Sequence, residues 1–288
     1  MSKSIYNISG GALALSAGAV CTPALPAGAG GGPAAAAGAG CHSAAAAEEI
    51  SGDTAISSGL PDGSLALILS DGMGKGIRAA ALSRAATSRL RKNLKGGMAP
   101  AHAIKEVNTF MVSHAKGENF ATLDLLIIDR NTRKAKFYKM GAASSFVLRD
   151  GKVRMFEQAA LPIGIIPEIR LTHVALQLRP GDIVLMASDG ITEAGREAAR
   201  ASLENEADRE TARAILENEA GREVDAAAAD RDIDGTWLRE LLEERAPAEL
   251  AGISARKLAR WILAETVKQY GERERDDLTV AAIKILPA

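Results

Sequence analysis

The feature that most constrains this chain is a pattern that occurs twice: an apolar run of strand length that closes on Ser-Asp-Gly. Residues 64–76 read SLALILSDGMGKG, and residues 184–190 read VLMASDG. A short apolar run bounded by turn residues reads as a buried strand. Gly72, Gly74 and Gly76 let the backbone turn sharply and let another group approach the main chain closely. A carboxylate at the tip of a buried strand is costly unless something offsets its charge, and a metal cation does that. The plain alternative is a turn aspartate that caps the next helix, and for a lone Asp-Gly that is the commoner case. Here the pattern does not stand alone. Asp276-Asp277 directly precedes a strand over Leu278–Leu286, and Asp53 ends Ser51-Gly52-Asp53. Carboxylates at four strand ends point to one hard-cation site on a sheet scaffold.

The spacing of apolar and turn residues predicts the elements around these acids. Tyr6–Ala17 is expected to be a strand. Residues 18–47, centred on AGAGGGPAAAAGAG, are of low complexity and read as a loop or insertion without chemistry. Asp53 begins a short strand to Ser57, and the turn Pro61-Asp62-Gly63 joins it to Ser64–Ser70 as a hairpin that brings Asp53 near Asp71. Apolar residues at helical spacing predict a helix over Ile77–Leu94, ended by Gly96-Gly97, and a second over Pro100–His114. His102 and His114 read as surface or packed histidines. Strands are expected at Phe120–Asp129, Lys134–Met140, Ser144–Leu148, Val153–Phe156, Thr172–Leu178 and Ile183–Ser188. Leu161–Ile165 reads as a stiff connector. Asp124, in the middle of its strand, is assigned a structural role. Residues 194–234 carry two near-copies of a charged, Ala-rich stretch and read as exposed helix or insertion. Amphipathic helices are expected at Trp237–Glu244 and Lys257–Tyr270. Hairpin spacing with interspersed helices gives an α+β fold of layered, mostly antiparallel sheets flanked by helices.

Composition removes several classes of function. With 288 residues and 47% hydrophobic content the chain can bury a sizeable core. A net charge of −1 and 3% aromatic residues argue against a nucleic-acid partner. No apolar run has membrane-spanning length and composition, and the N-terminus does not read as a signal peptide. Cys21 and Cys41 lie in the low-complexity segment, and with only His42 nearby they make no zinc site. A reducing, cytoplasmic setting is expected.

The chemistry follows from the donors. Oxygen ligands from aspartate, without histidine or cysteine, suit Mg²⁺ or Mn²⁺. Two such ions about 3.5–4 Å apart turn bound water into a hydroxide nucleophile and clamp a phosphoryl oxygen. Hydrolysis of a phosphate ester is the natural reaction. No cysteine-phosphatase context, Walker-type loop or G-x-S-x-G elbow offers a rival.

Taken in order, Ser51-Gly52-Asp53, residues 69–76 (LSDGMGKG), 121–125 (ATLDL), 161–165 (LPIGI), 188–191 (SDGI) and 276–280 (DDLTV) resemble the metal-dependent serine/threonine phosphatases of the 2C type. Within these they resemble the bacterial branch typified by the phosphatase domain of stage II sporulation protein E. The resemblance implies a four-layer α-β-β-α sandwich with a two-metal site at one end of the paired sheets. Carried over, it makes Asp71 a bridge between two Mn²⁺ or Mg²⁺ ions, with the Gly72 carbonyl on the second ion. Asp189 and Asp276 would hold the first ion, Asp53 would serve the second, and Asp277 would stand beside Asp276 as a further polar group of the metal site. Asp71, Asp189 and Asp276 are then the catalytic set. The implied substrate is a phosphorylated protein, typically an anti-sigma-factor antagonist in sporulation and sigma-factor regulation. The helix pair Ile77–His114 would be regulatory and would offer a homodimer surface. The whole chain, residues 1–288, is expected to be one phosphatase domain carrying the segments 18–47 and 194–234. The multi-helix membrane region of the sporulation protein is not in this sequence. That suggests a soluble relative, or the cytoplasmic part of a membrane-anchored protein. Two other readings compete: a non-catalytic pseudophosphatase that binds a phosphoprotein, and a scaffold whose acids are turn residues lying apart in space.

Overall fold

The computed structural model describes residues 6–8, 15–22, 50–114, 120–196, 235–245, 247–271 and 276–286. Two antiparallel sheets face each other. One contains β3 (Asp53–Gly59), β4 (Leu65–Asp71), β5 (Leu123–Ile128), β6 (Lys134–Met140) and β9 (Val174–Gln177), in that spatial order. The other runs β1 (Tyr6–Ile8), β2 (Leu15–Thr22), β11 (Leu278–Ile285), β10 (Ile183–Ala187), β7 (Ser145–Arg149), β8 (Lys152–Phe156). The helices α1 (Gly76–Lys95) and α2 (Pro100–His114) cover the first sheet. The one-turn α3 (Asp189–Thr192), α4 (Thr236–Glu243), the short α5 (Pro247–Gly252) and α6 (Ala255–Tyr270) cover the second.

The apolar runs explain the layering. Successive side chains on a strand point to opposite faces, so a continuous apolar run is buried on both. In β4, Leu65, Leu67 and Leu69 face the other sheet, while Ala66 and Ile68 pack under α1 and α2 with Leu90, Ile104 and Val107. In β10, Val184 and Met186 face the intersheet core, and Ile183, Leu185 and Ala187 pack against α6 through Leu258 and Ile262. The expected α-β-β-α order is thus observed.

Most element bounds agree with the sequence to within two residues, and three readings need correction. Tyr6–Ala17 is not one strand: β1 and β2 pair antiparallel, with Ile8 opposite Leu15. The low-complexity segment does not begin at Gly18, because β2 continues to Thr22 along β11, with Gly18 opposite Ala282. Ladder hydrogen bonds use the backbone alone, so a Gly/Ala-rich stretch joins a sheet when its neighbour supplies the register. The strand expected at Phe120–Asp129 is shorter, and Ala121 forms isolated bridges to Gly72 and Ile163 instead. Residues 23–49 and 197–234, with most of both proposed insertions, lie outside the described residues. No helix among the described residues is long and apolar enough to cross a membrane.

Candidate metal centre and active site

Asp53 opens β3, Asp71 closes β4, and the two are direct cross-strand partners. Each lies two residues from an intersheet core position, Ala55 and Leu69, so both face the gap between the sheets. Like charges opposite each other on a sheet repel. The backbone holds Asp71 there regardless. Its N–H donates to Thr122 Oγ1 at 2.8 Å, and its carbonyl accepts from the Thr122 N–H at 2.8 Å. Gly72 follows because nothing larger fits: a Cβ there would lie 2.0 Å from the Ala79 carbonyl oxygen in the first turns of α1.

From the other sheet, β10 ends at Ala187 and α3 starts with Asp189. The Gly190 N–H donates to Asp189 Oδ1 at 2.8 Å. A Cβ on Gly190 would lie 2.4 Å from the Asp277 carbonyl, so only glycine lets α3 rest against the start of β11. Three side chains fix this corner. Ser188 Oγ accepts from the Thr279 N–H at 2.9 Å, the Tyr270 hydroxyl donates to the Gly190 carbonyl at 2.8 Å, and Trp237 Nε1 donates to the Ile191 carbonyl at 2.9 Å. Asp276 is exposed at the rim. Asp277 is buried, and its Oδ2 accepts from the Gly52 N–H at 2.5 Å, which ties the turn before Asp53 to β11.

The electrostatics is that of crowded carboxylates. Burial pushes Asp71 up to about 8, with the charges of Asp189, Asp276 and Asp277 adding to the shift. Burial, then Asp276, pushes Asp189 up to about 6. Asp53 is raised well above the usual carboxylate range by burial and by Asp71. Ser188 and Thr279 stand near enough to ease its charge, yet neither oxygen of Asp53 makes a well-formed hydrogen bond. Asp71 therefore feels Asp189, Asp276 and Asp277, three of the other acids picked out in the sequence, and Asp53 joins through Asp71 and Asp189. Among the described residues no three acidic, histidine or cysteine side chains close into a tight cage. The carboxylates face each other across a cleft instead. The set fits a hard divalent cation: all donors are oxygens, two buried oxygens have no partner, and positive charge would relieve the repulsion.

A cavity of about 20 Å³ opens among Asp71, Thr122, Asp124, Ser188 and Asp189, with Leu69 and Ala187 in its wall. Asp124 was read from the sequence as structural, and most of it is. Lys139 Nζ ion-pairs with Asp124 Oδ2 and donates to Ser145 Oγ at 2.8 Å, and Ser145 Oγ donates to the same Oδ2 at 3.0 Å. The sequence reading missed Lys139. Counting residues outward from the β5–β6 turn would have found it, since Asp124 and Lys139 are direct partners in the register.

The profile of the family described as stage II sporulation protein E (SpoIIE) matches residues 61–232, more than half of the chain. The chain belongs to that family. Stage II sporulation protein E of Bacillus subtilis (strain 168) is 37% identical over 154 residues, which are 54% of this chain and 19% of the relative. The chain thus spans about a fifth of that relative's length. The solved PP2C phosphatase domain of SpoIIE from Bacillus subtilis, with a fragment of its regulatory domain, matches with a TM-score of 0.66 and 25% identity. That match covers 94% of this chain and 63% of the other. RsbX in complex with magnesium shares the fold at 13% identity, with a TM-score of 0.55 over 98% of this chain and 100% of that one. The paired sheets and their flanking helices are the PP2C phosphatase fold.

Proposed function

We propose that this member of the SpoIIE family is a protein serine/threonine phosphatase that hydrolyses phosphoserine or phosphothreonine on a protein substrate. The observation that carries this is the meeting of Asp53, Asp71 and Asp189 from two different sheets: Asp53 and Asp71 are cross-strand partners, Asp71 and Asp189 line one water-sized cleft, and the charge of Asp189 adds to the burial that raises Asp71. Perturbed carboxylates gathered in a cleft mark functional sites. The magnesium in the similarly folded RsbX structure and the oxygen-only donor set support divalent ions here.

In this reading Asp71, with the Gly72 carbonyl and Asp53 on one side and Asp189 and Asp276 on the other, would hold two divalent ions, Mn²⁺ or Mg²⁺. Bound ions supply a hydroxide nucleophile near neutral pH and offset the charge of the phosphoryl oxygens. The chain's own part is preorganisation. Thr122 fixes the Asp71 backbone, while Asp277 holds the Gly52 N–H and so the turn that aims Asp53. Ser188, Tyr270 and Trp237 hold the corner that presents Asp189. In this reading the aspartates are taken up in holding ions, and the ester would be cleaved by water in one displacement.

The resemblance extends the proposal to a phosphorylated anti-sigma-factor antagonist as substrate and to a cytoplasmic setting. It also gives α1 and α2 a regulatory role and makes them the surface on which two copies pair. The test is turnover of a phosphoserine protein with and without Mn²⁺, for the parent chain and for Asp71→Asn and Asp189→Asn, with circular dichroism as the check on folding. The expected result is Mn²⁺-dependent turnover that both variants lose while staying folded. Turnover in excess chelator, or undiminished turnover in both variants, overturns the proposal.

A further inference from the structure

The Asp124–Lys139–Ser145 cluster sits directly beneath the acidic cleft and does two things. Asp124 belongs to the first sheet and is paired in register with Leu69, two residues before Asp71. Ser145 belongs to the second sheet and is paired with Met186, three residues before Asp189. The cluster therefore spans the intersheet gap one layer below both acids and ties β5 and β6, beside the strand of Asp71, to β7, beside the strand that leads to Asp189. Asp124 and Lys139 side chains are fully buried. All the anchoring falls on one carboxylate oxygen. The other, Asp124 Oδ1, is buried without any partner, and Asp124 lines the cavity shared with Asp71 and Asp189. Buried carboxylate oxygens are rarely left unbonded. A cavity of about 20 Å³ has room for water, which needs two to four polar partners, and Asp71, Thr122, Asp124, Ser188 and Asp189 line it.

We propose that Asp124 is a positioning residue of the metal site: Lys139 and Ser145 lock its Oδ2, so that Oδ1 accepts a hydrogen bond from the hydration shell of a divalent cation held by Asp71 and Asp189. The inference rests on the proposed metal-dependent reading and adds a residue to it. Ions such as Mg²⁺ keep several waters when bound, so an acceptor beyond the direct ligands orients the hydrated ion. Lys139 supplies the positive charge that offsets the buried Asp124 carboxylate.

The experiment separates this role from that of a buried ion pair alone. Such pairs are often replaced by apolar side chains without loss of stability. Asp124→Leu/Lys139→Met removes both charges and the acceptor, whereas Asp124→Asn/Lys139→Met removes the charges but retains a carbonyl acceptor. Mn²⁺ affinity is measured by calorimetry on the metal-stripped chain, alongside thermal melting. The expected result is melting near that of the parent in both, an affinity weakened about tenfold or more in the Leu variant, and clear recovery in the Asn variant. Equal Mn²⁺ affinity in the parent and the Leu variant overturns the proposal and leaves the pair structural. Should the Leu variant not fold, Ser145→Ala is the second handle, with melting lowered by only a few degrees and a few-fold loss of affinity in the folded chain expected, and an unchanged affinity overturning the proposal. A parent chain that takes up no Mn²⁺ overturns the metal-dependent reading and this inference together. A parent that binds Mn²⁺, with a Leu variant that binds it equally well, overturns this inference alone.

Discussion

Two polar groups lie between the same pair of sheets, one layer apart, and they are built on opposite plans. The lower one, Asp124 with Lys139 and Ser145, brings its own counter-charge: a cation from the next strand and a hydroxyl from the facing sheet. The upper one gathers Asp53, Asp71 and Asp189, and each is raised by burial and by a neighbouring carboxylate. Burial alone would force compensation at both levels. That it is met from within at one level and left open at the other distinguishes a carboxylate anchored by the protein's own cation from carboxylates left to a ligand.

The largest expected effect lies at the open level. Asp71→Asn should cut Mn²⁺-dependent turnover by at least about 10³-fold, on the order of 4 kcal/mol of transition-state stabilisation. The same change should stabilise the metal-free chain, because it removes one charge from a repelling set. The gain should be greatest above pH 8, where Asp71, pushed up to about 8, is ionised, and should shrink by pH 5. Turnover assays and melting at both pH values check this. An Asp71→Asn variant that is less stable at pH 8.5 would mean that the upper group is compensated after all.

The closed level should behave in reverse. Lys139→Met alone leaves the fully buried Asp124 carboxylate without its cation, and breaking a buried pair in that way costs about 3–5 kcal/mol. Urea unfolding would read this directly. A loss below about 1 kcal/mol would show that water reaches the pair and that the two levels differ less than their burial indicates.

The pH dependence of the metal-free chain sharpens the contrast. An ordinary aspartate titrates near pH 4 in the unfolded chain. Asp189 is pushed up to about 6 and Asp71 to about 8 in the folded one. Between pH 4 and these values the folded state holds more protons than the unfolded state, so stability falls as pH rises and levels off above about 8. Cation binding needs the ionised carboxylates, so Mn²⁺ affinity should climb through the same window. Melting temperatures of the metal-free chain should drop by several degrees from pH 5 to pH 8, and added Mn²⁺ should reverse the drop. A flat profile would mean that the acids do not feel one another.

How far these two levels could be read from the sequence follows from how each is encoded. The acids at strand tips were legible because a buried apolar run ending in Asp-Gly has few other uses once it recurs. α1 was legible almost to the residue, since its apolar spacing stops at Gly96-Gly97 and the helix ends at Lys95. Lys139 was not legible by pattern. In β6, Lys134 and Lys136 are exposed, and a third lysine three positions on reads as more of the same surface until the strand register puts it opposite Asp124. The one-turn helix α3 and the short α5 are too brief for any period to show. β2 was hidden because its Gly/Ala-rich residues carry almost no strand propensity and its place is set by β11.

The smallest expected effect concerns how the second sheet delivers its acid to the first. Tyr270, at the end of α6, is buried, and its hydroxyl donates to the Gly190 carbonyl in the turn that carries Asp189. Tyr270→Phe keeps the ring in the core and deletes one neutral hydrogen bond, which costs about 1 kcal/mol. Trp237 still holds the neighbouring Ile191 carbonyl, so α3 should stay formed and the fold intact. If the second sheet presents Asp189 only through a rigid corner, this small loss should fall unevenly. Melting would move by a few degrees, while Mn²⁺ affinity would weaken several-fold, because a carboxylate that must share an ion with Asp71 tolerates little displacement. Equal losses in stability and affinity would assign Tyr270 to the core alone and leave Ser188 and the Gly190–Asp277 contact to set the position of Asp189.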